Sequence, residues 1–385
     1  MKRKHGVALF LTIAATIAAG LWLSFTAMLA VGAVLPLFGV VLFRKPAWRN
    51  ASLLLTSVLL GLSALNFAFW LIAPKPFNEG VVKMDTPEKW IIDDDIVGYK
   101  LKPGITVDAT SKYRDQILFH AKYTIEPSGA RATPGSQPNG PTYLFIGDSL
   151  VFSETLEDSQ TMASQFAQNL RPGAHVVNLG VPGYGLNNLV RAVETGQYDP
   201  YVVGKVAAVI TWIAPYHMER VTGDGDWLTL SPHYELIPGQ PPRYTGSFLA
   251  WRLSHPLEGL SYFARSRFSW VMRIVGPNLE RRQEILYVAL IERLRDLVRQ
   301  KWNAPLIIVY DWADGTITDQ NDERLRPVYE SIAALGMPMV SMRRLSLPHV
   351  GWPEFTIPHD GHPSALMDRT VARGLFDKAR ELGLQ

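Results

Sequence analysis

Three residues of this sequence have the types that nucleophilic acyl transfer requires. Ser149 lies in TYLFIGDSLVF (142–152), where the letters GDSL interrupt an apolar run. A serine hydroxyl is a poor nucleophile unless a base removes its proton. TIPHDGHPSALMDRTVA, close to the C-terminus, contains Asp360 and His362, two positions apart. At that spacing the carboxylate can accept the Nδ1 proton of His362, which leaves Nε2 as the base.

Two other interpretations apply to the segment HDGHP. It could be a polar turn that caps a helix, because Pro363 suits the first turn of a helix. Alternatively, His359 and His362 could bind a metal. No further carboxylate or histidine stands at a recognisable ligand spacing, so the sequence predicts no metal and no cofactor.

A glycine-rich segment, NLGVPGYGLNN (178–188), follows another apolar run. Glycines allow a backbone to approach a bound group closely. We therefore expect the N–H of Gly180, close to Asn178, to be an oxyanion donor beside the N–H of Ser149. A glycine-rich turn that leads into a helix is a simpler interpretation of the same residues.

From residue 142 onward, apolar runs alternate with helical periodicity. Apolar runs that alternate with helices indicate a parallel sheet with helices on both faces, and such folds bind ligands at the carboxyl ends of the strands. Gly147, Gly180 and Trp212 fall at those ends. The predicted strands are 143–147, 175–180, 206–212, 305–312 and 337–342, and the predicted helices are 159–170, 184–196, 282–301, 320–335 and 363–382.

The chain divides into three regions by composition. Residues 1–75 are mostly apolar, residues 76–140 form a β-rich lead-in and linker, and residues 141–385 form the α/β domain. That domain contains an irregular insert at 213–281, rich in Trp, Tyr, Pro and Arg. The insert is either a surface excursion or a cap over the site.

The N-terminal region predicts three transmembrane helices, because a span needs about 20 apolar residues. Basic residues precede the first helix and separate the second from the third, so both clusters belong in the cytoplasm and the main domain lies outside it. A cleaved signal peptide is the main alternative, since FTAMLAVGA offers suitable sites, but the apolar run continues past them. The predicted helices are 6–23, 26–43 and 51–73.

Composition excludes several classes of protein. The formal net charge is +3, and much of the basic excess lies beside the apolar runs, so nothing resembles the basic face of a nucleic-acid binder. The chain has no cysteine, which excludes a disulfide scaffold, a thiolate metal site and a cysteine nucleophile.

The motifs together resemble the SGNH/GDSL hydrolase superfamily. GDSL follows one apolar strand, Asn178-x-Gly180 ends the next, and Asp360-x-His362-Pro363 precedes the last helix. The resemblance covers about residues 140–380. It implies a flavodoxin-like α/β/α sandwich around a five-stranded parallel sheet. It also implies Ser149 as nucleophile, His362 as base, Asp360 as its partner and Gly180 in the oxyanion hole.

Two positions depart from the family pattern. The family commonly has an Asp three residues before the histidine, where this chain has His359, and the Asp-x-His spacing is similar to enzymes that acetylate exopolysaccharides. The family also has an oxyanion Asn after the third strand. Here ITWIAPYHMER places Ala214 and Pro215 at that point. Tyr216 or His217 is a candidate donor in place of the Asn, and a purely structural role is an equal alternative for either. The lead-in resembles that of membrane-anchored bacterial SGNH proteins.

These patterns predict a serine esterase or O-acyltransferase in the bacterial inner membrane, with several spans and a periplasmic catalytic domain. The expected substrate is an O-acylated, for example acetylated, envelope or exported polysaccharide. Two alternatives remain: an esterase for lipids or lipoproteins, and a weakly catalytic binding protein of the polysaccharide export machinery. The sequence does not distinguish water from a sugar as the acyl acceptor.

Overall fold

The computed structural model describes most of the chain, in two compact units. The first unit takes its residues from Met1–Phe77 and His255–Asn278, and the second from Asn78–Ser254 and Leu279–Gln385. The ranges described are 29–30, 33–72, 82–170, 174–267, 269–310, 320–346 and 354–384.

The helices in chain order are α1 (Val34–Leu42), α2 (Pro46–Ile72), α3 (Ser149–Phe152), α4 (Met162–Asn169), α5 (Leu186–Glu194), α6 (His217–Arg220), α7 (Phe248–Ser254), α8 (Pro256–Arg267), α9 (Ser269–Trp302), α10 (Gln320–Ala334), α11 (Met342–Ser346) and α12 (Ala365–Glu381). The strands are β1 (Val82–Asp85), β2 (Ile91–Asp94), β3 (Gly98–Leu101), β4 (Ile105–Tyr113), β5 (Gln116–Ile125), β6 (Thr142–Gly147), β7 (His175–Gly180), β8 (Val206–Ile213), β9 (Pro232–Glu235), β10 (Arg243–Ser247), β11 (Leu306–Tyr310) and β12 (Met339–Ser341).

The prediction of three transmembrane helices was wrong for the part of the chain that the structure describes. Only α2 is long and apolar enough there to cross a membrane, over Pro46–Leu65. Of the helix predicted at 26–43, the described residues show helical residues 29–30 and α1, which has nine residues and is about 14 Å long at 1.5 Å per residue. The helix predicted at 6–23 lies outside the described residues.

A five-stranded parallel sheet forms the centre of the second unit, in the order β12-β11-β8-β6-β7. Renumbered along the chain, this is the 2-1-3-4-5 order of flavodoxin-like folds. The predicted parallel α/β fold with five strands is confirmed. Both ends of each strand lie within two residues of the predicted limits. The carboxyl ends of β6 and β7 are paired, with Gly147 opposite Gly180.

Alternation along β6 separates the core into two layers. Tyr143 and Phe145 point to one face, where they pack with residues of α4 and α12. Leu144 and Ile146 point to the other face, where they share a cluster with residues of α5, α9 and α10. Because side chains alternate across a strand, one apolar run supplies both layers of the sandwich.

The lead-in forms two small antiparallel sheets, β1-β4-β5 and β2-β3. Its aromatic side chains do not form a separate core. Trp90 and Tyr123 lie with ring centroids 5.5 and 5.1 Å from that of Phe152 in α3. The lead-in therefore packs directly against the helix that begins at Ser149.

Candidate active site

The turn between β6 and α3 presents Ser149. Asp148 is the N-cap of α3, and its Oδ1 accepts the N–H of Leu150 at 3.0 Å. Gly147 is required at the strand end, because a Cβ there would lie 2.4 Å from Cγ2 of Val151. Ser149 is thereby fixed as the first residue of α3, 5% exposed, at the carboxyl edge of the sheet.

The C-terminal loop that carries His362 is closed by backbone hydrogen bonds. Ile357 N–H donates to the carbonyl of His362 at 2.8 Å, and Gly361, with φ of +88°, takes a conformation that favours glycine. His359 stacks on Tyr113 with centroids 4.0 Å apart, and its position is thus explained by packing. Ser364 caps α12, so Pro363 precedes the helix rather than starting it.

These two segments meet as the sequence predicts. His362 Nε2 lies 2.8 Å from Ser149 Oγ, and His362 Nδ1 lies 2.6 Å from Asp360 Oδ1. Asp360 Oδ1 also accepts the backbone N–H of His362 at 3.1 Å, which fixes the carboxylate against the ring edge. A hydroxyl, an imidazole and a carboxylate in this order form the geometry of a serine nucleophile with its base.

The surroundings of His362 favour its charged form. Burial acts to lower the pKa of the imidazole, but the hydrogen bond to Asp360 and the carboxylate of Glu154 outweigh burial and raise the pKa to about 9. Only the neutral imidazole can accept the proton of Ser149. The surroundings of His362 therefore oppose the loss of the proton that must leave before reaction.

Asp148 of the GDSL motif belongs to a separate buried network. Its Oδ2 lies 2.7 Å from Arg220 Nη1 and 2.8 Å from His217 Nε2. The geometry between His217 Nε2 and this oxygen does not meet the angles of a hydrogen bond. Burial acts to raise the pKa of Asp148, but His217 and Arg220 together hold it below its ordinary value. The charge of Asp148 is thus neutralised within the protein.

His217, considered from the sequence either as an oxyanion donor or as a structural residue, is held in this network. Its Nδ1 accepts the N–H of Ala214 at 3.3 Å, and its Nε2 faces Asp148. Burial lowers the pKa of His217 despite the neighbouring carboxylate. With both ring nitrogens directed at protein groups, His217 supports the nucleophile turn and does not face a substrate.

Gly180 and Asn178 also have a different role from the one predicted. The N–H of Gly180 donates to Asn178 Oδ1 at 3.0 Å, and Asn178 Nδ2 donates to the carbonyl of Val151 at 3.0 Å. A Cβ on Gly180 would lie 2.3 Å from Phe152 N. Both residues therefore hold β7 against α3, and the hydrogen of Gly180 is already donated within the protein.

Replacing Gly180 with alanine is expected to displace α3, because backbone atoms cannot yield as a flexible side chain can. We expect loss of stability in the 1–3 kcal/mol range of overpacked cores, with a fall in activity as Ser149 moves. Thermal denaturation and ester hydrolysis measure the two effects. A variant with wild-type stability and rate would show that the close approach of β7 and α3 is unimportant.

A cavity of about 920 Å³ opens over Ser149 and His362. Tyr216 and Trp227 both line this cavity. Tyr216 is 46% exposed and Trp227 is 56% exposed. Arg220 forms part of the same wall. Within the insert, residues between 216 and 230 thus line the cavity over Ser149.

Arg220 and Glu154 are among the charged residues of this cavity that sequence reasoning missed. Arg220 had no recognisable signal, because its position at the site depends on the turn after β8. Glu154 lies only five residues after Ser149, at the end of an apolar run. A charged residue in that position is also common at the ends of helices that have no catalytic role. Both line the cavity with the predicted residues Ser149, Asp360 and His362.

Comparison with solved structures finds matches of low similarity. A member of the lipolytic protein G-D-S-L family from Veillonella parvula DSM 2008 is 10% identical, covering 62% of this chain and 97% of that chain, with a TM-score of 0.38. The psychrotrophic esterase EstA from Pseudoalteromonas sp. is 10% identical, with a TM-score of 0.36. The match covers 64% of this chain and 100% of that esterase chain. A carbohydrate esterase, whose active site is described as having divergent catalytic and non-catalytic binding functions, is 11% identical, with a TM-score of 0.33. The match covers 78% of this chain and 98% of that chain.

No protein-family model matches the sequence, and no curated protein matches it. The assignment rests on residues of the chain itself. The sheet has the flavodoxin-like order, GDSL ends its first parallel strand, and the histidine loop precedes the last helix. In this sheet order, this motif placement and the contacts among Ser149, His362 and Asp360, the chain resembles the SGNH/GDSL hydrolase superfamily.

Proposed function

We propose that this protein is a serine esterase or O-acyltransferase that works through an acyl-enzyme on Ser149. The observation that carries the proposal is the 2.8 Å contact between Ser149 Oγ and His362 Nε2, with Asp360 held on the opposite ring nitrogen. A nucleophile within hydrogen-bond reach of an oriented base is the arrangement that acyl transfer needs.

The first half of the reaction forms the acyl-enzyme. Ser149 Oγ attacks the ester carbonyl carbon while His362 Nε2 takes the hydroxyl proton, and the carbonyl π electrons move to oxygen. Asp360 stabilises the imidazolium through Nδ1–H. The oxyanion then re-forms the carbonyl, the C–O bond to the alcohol breaks, and Nε2 returns the proton to the leaving oxygen.

The second half reverses these roles with a new nucleophile. Water or a sugar hydroxyl gives its proton to His362 Nε2 and attacks the acyl carbon, and Ser149 leaves with that proton. Water yields the free acid, which is hydrolysis. A hydroxyl yields a new ester, which is acyl transfer.

We propose that the remaining N–H groups of Arg220 donate to the oxyanion in place of the missing Asn. Nη1 is held by Asp148 Oδ2 at 2.7 Å and by the carbonyl of Tyr184 at 2.6 Å, which fixes the guanidinium on the cavity wall. The N–H of Ser149 is the second candidate donor. Donors fixed before the reaction need no rearrangement in the transition state, which makes them effective.

The proposed substrate is an O-acylated carbohydrate. The cavity is larger than a simple acetyl group requires, and Tyr216 and Trp227 expose aromatic surface at it. Aromatic faces with adjacent polar groups suit the stacking of sugar rings. Polar partners on the same wall include Asp93, Asp226 and Lys89.

We propose a periplasmic location for the catalytic unit, with α2 as anchor. Arg44, Lys45 and Arg49 lie just before α2 or in its first turn, whereas its last turn has no basic residue. Positive charges stay in the cytoplasm, so the chain after α2 would lie on the other side. Exported polysaccharide would be accessible there.

A non-catalytic role in polysaccharide binding is the second candidate. It is favoured by Ala214 at the position of the family Asn and by the internal hydrogen bond of the Gly180 N–H. Both observations weaken the usual oxyanion hole. Such a protein would bind acylated glycans without releasing acid or transferring acyl groups, as part of an export assembly.

Acetate release from acetylated glycans by the purified full-length protein tests the proposal. We expect kcat/KM to rise with pH and reach half its maximum near pH 9, because His362 must lose a proton whose pKa is raised to about 9. Mass spectrometry of added unacetylated glycans separates transfer from hydrolysis. Binding of acetylated glycans without acetate release or transfer at any pH would support the binding role instead.

A further inference from the structure

Glu154 reaches the active site through an unusual turn. Ser153 follows α3 with φ of +61°, in the left-handed region, and so ends the helix after one turn. The chain folds back, and the N–H of Glu154 donates to the carbonyl of Ser149 at 3.2 Å. The carbonyl of Glu154 accepts the hydroxyl of the buried Tyr123, which fixes the backbone.

This turn places a second carboxylate on the catalytic imidazole. Glu154 Oε2 lies 3.5 Å from His362 Nε2, the nitrogen that faces Ser149 Oγ at 2.8 Å. The side chain of Glu154 is only 14% exposed, so water screens the interaction weakly. Asp360 already occupies Nδ1, and the imidazole therefore lies between two carboxylates.

Glu154 interacts oppositely with the two forms of His362. In the imidazolium, Nε2 carries a hydrogen that Glu154 attracts. In the neutral base, Nε2 presents a lone pair to the hydroxyl of Ser149, and a carboxylate beside that lone pair is unfavourable. The charge of Glu154 thus stabilises the form of His362 that cannot activate Ser149.

Other charged groups around this pair do not replace Glu154. Asp360 contacts Nδ1, and Asp148, although paired with Arg220, also raises the pKa of His362 through its charge, less than Glu154 does. Asp368 on α12 acts on His362 through its charge, but it is buried against Met162 N–H at 2.9 Å. On the side of β5, Arg131 pairs with Asp158 at 3.2 Å, and Tyr123 is neutral because burial raises the pKa of its hydroxyl.

Burial also raises the pKa of Glu154 itself. A buried glutamate and a histidine in contact titrate as a pair, so the proton that must leave before reaction belongs to both groups. Removing the carboxylate lowers the pH at which this proton leaves, whichever group carries it.

We propose that Glu154 is a positioning residue that binds the imidazolium of His362 through Nε2–H, competes with Ser149 for that nitrogen and so sets the pH at which Ser149 becomes nucleophilic. This inference rests on the proposed function of Ser149 and His362. It assigns the glutamate to control of the base rather than to contact with substrate.

The variant Glu154→Gln tests it, since glutamine keeps the shape and loses the charge. The midpoint of the kcat/KM profile is expected to fall by roughly one to two pH units, the effect of an opposite charge at this distance. KM for a small ester should stay unchanged. Glu154→Asp, which withdraws the charge by one methylene, should shift the midpoint less. Glu157→Gln, exposed on the same segment, is the matched control and should not shift it.

A second measurement does not depend on turnover. In the full-length Ser149→Ala protein, NMR titration of the His362 imidazole nitrogens should show a lower pKa when Glu154→Gln is added. An unchanged pKa would overturn the inference, as would a midpoint that moves equally in Glu157→Gln. If the imidazole pKa falls but no ester is cleaved, the proposed function fails while the role of Glu154 stands.

Discussion

Replacing Ser149 with alanine is expected to lower kcat for ester cleavage by about 10⁴–10⁶-fold, the cost of removing a nucleophile that acts as a unit with its base. The variant should fold normally, because Ser149 Oγ contributes one hydrogen bond, to His362 Nε2 at 2.8 Å. Residual rate would come from binding and from the oxyanion donors. Initial rates with a chromogenic acetate ester, together with thermal denaturation, measure both properties.

Ser159→Ala is the matched control for this substitution. Ser159 lies on the same segment, is exposed, and donates no hydrogen bond to the site. It should retain the wild-type rate. A Ser149→Ala protein that keeps more than about one tenth of wild-type kcat would show that another group is the nucleophile. A tenfold fall in kcat is far smaller than the fall expected when a nucleophile is removed.

Replacing Arg131 with methionine should produce the largest loss of stability. The guanidinium is fully buried and lies behind the nucleophile segment. Nη1 donates to the carbonyls of Phe152 and of Ser153, the latter at 2.8 Å, Nη2 donates to the carbonyl of Leu156, and Nε lies 3.2 Å from Asp158 Oδ1. Methionine fills similar volume but removes the guanidinium donors from three carbonyls and a carboxylate.

Breaking a buried ion pair on one side costs about 3–5 kcal/mol, because the other charge remains unpaired. For a domain of this size that corresponds to a fall in Tm of roughly 10 °C. Arg373→Met is the control, because Arg373 is 69% exposed and makes only a helical i,i+4 pair with Asp377. Equal Tm values for the two variants would contradict the structural role assigned to Arg131.

The alternation of strands and helices was predictable because strands buried on both faces must be apolar throughout. The strand beginning at His175 and the helix near 320–335 appear close to their expected positions. The pairing of Ser149 with His362 was predictable for a related reason. In a parallel sheet the ends of different strands meet at one edge, so residues distant in sequence converge there.

Other parts of the site depend on contacts that spacing does not encode. The glycine-rich segment predicted a donor at Gly180, but an asparagine two residues earlier takes its hydrogen. His217 was a candidate from position alone, and burial beside Asp148 gave it another role. Glu154 reaches His362 only because Ser153 adopts a left-handed conformation that the sequence does not specify.

The number of membrane helices illustrates a different limit. Hydropathy counts apolar residues but does not locate the turns between them. In the apolar stretch predicted as a helix at 26–43, the described residues contain the nine-residue α1 and two further helical residues, 29–30. The apolar length of α2 was predictable and was found.

Covalent labelling tests the central claim most directly. A fluorophosphonate reacts with a serine only when a base activates it and the site stabilises negative charge on the phosphoryl oxygen. We predict that the purified full-length protein is labelled, that mass spectrometry maps the adduct to Ser149, and that Ser149→Ala and His362→Gln lose the label. An intact protein that stays unlabelled at pH values above the pKa of His362, or an adduct on a different residue, would contradict the account.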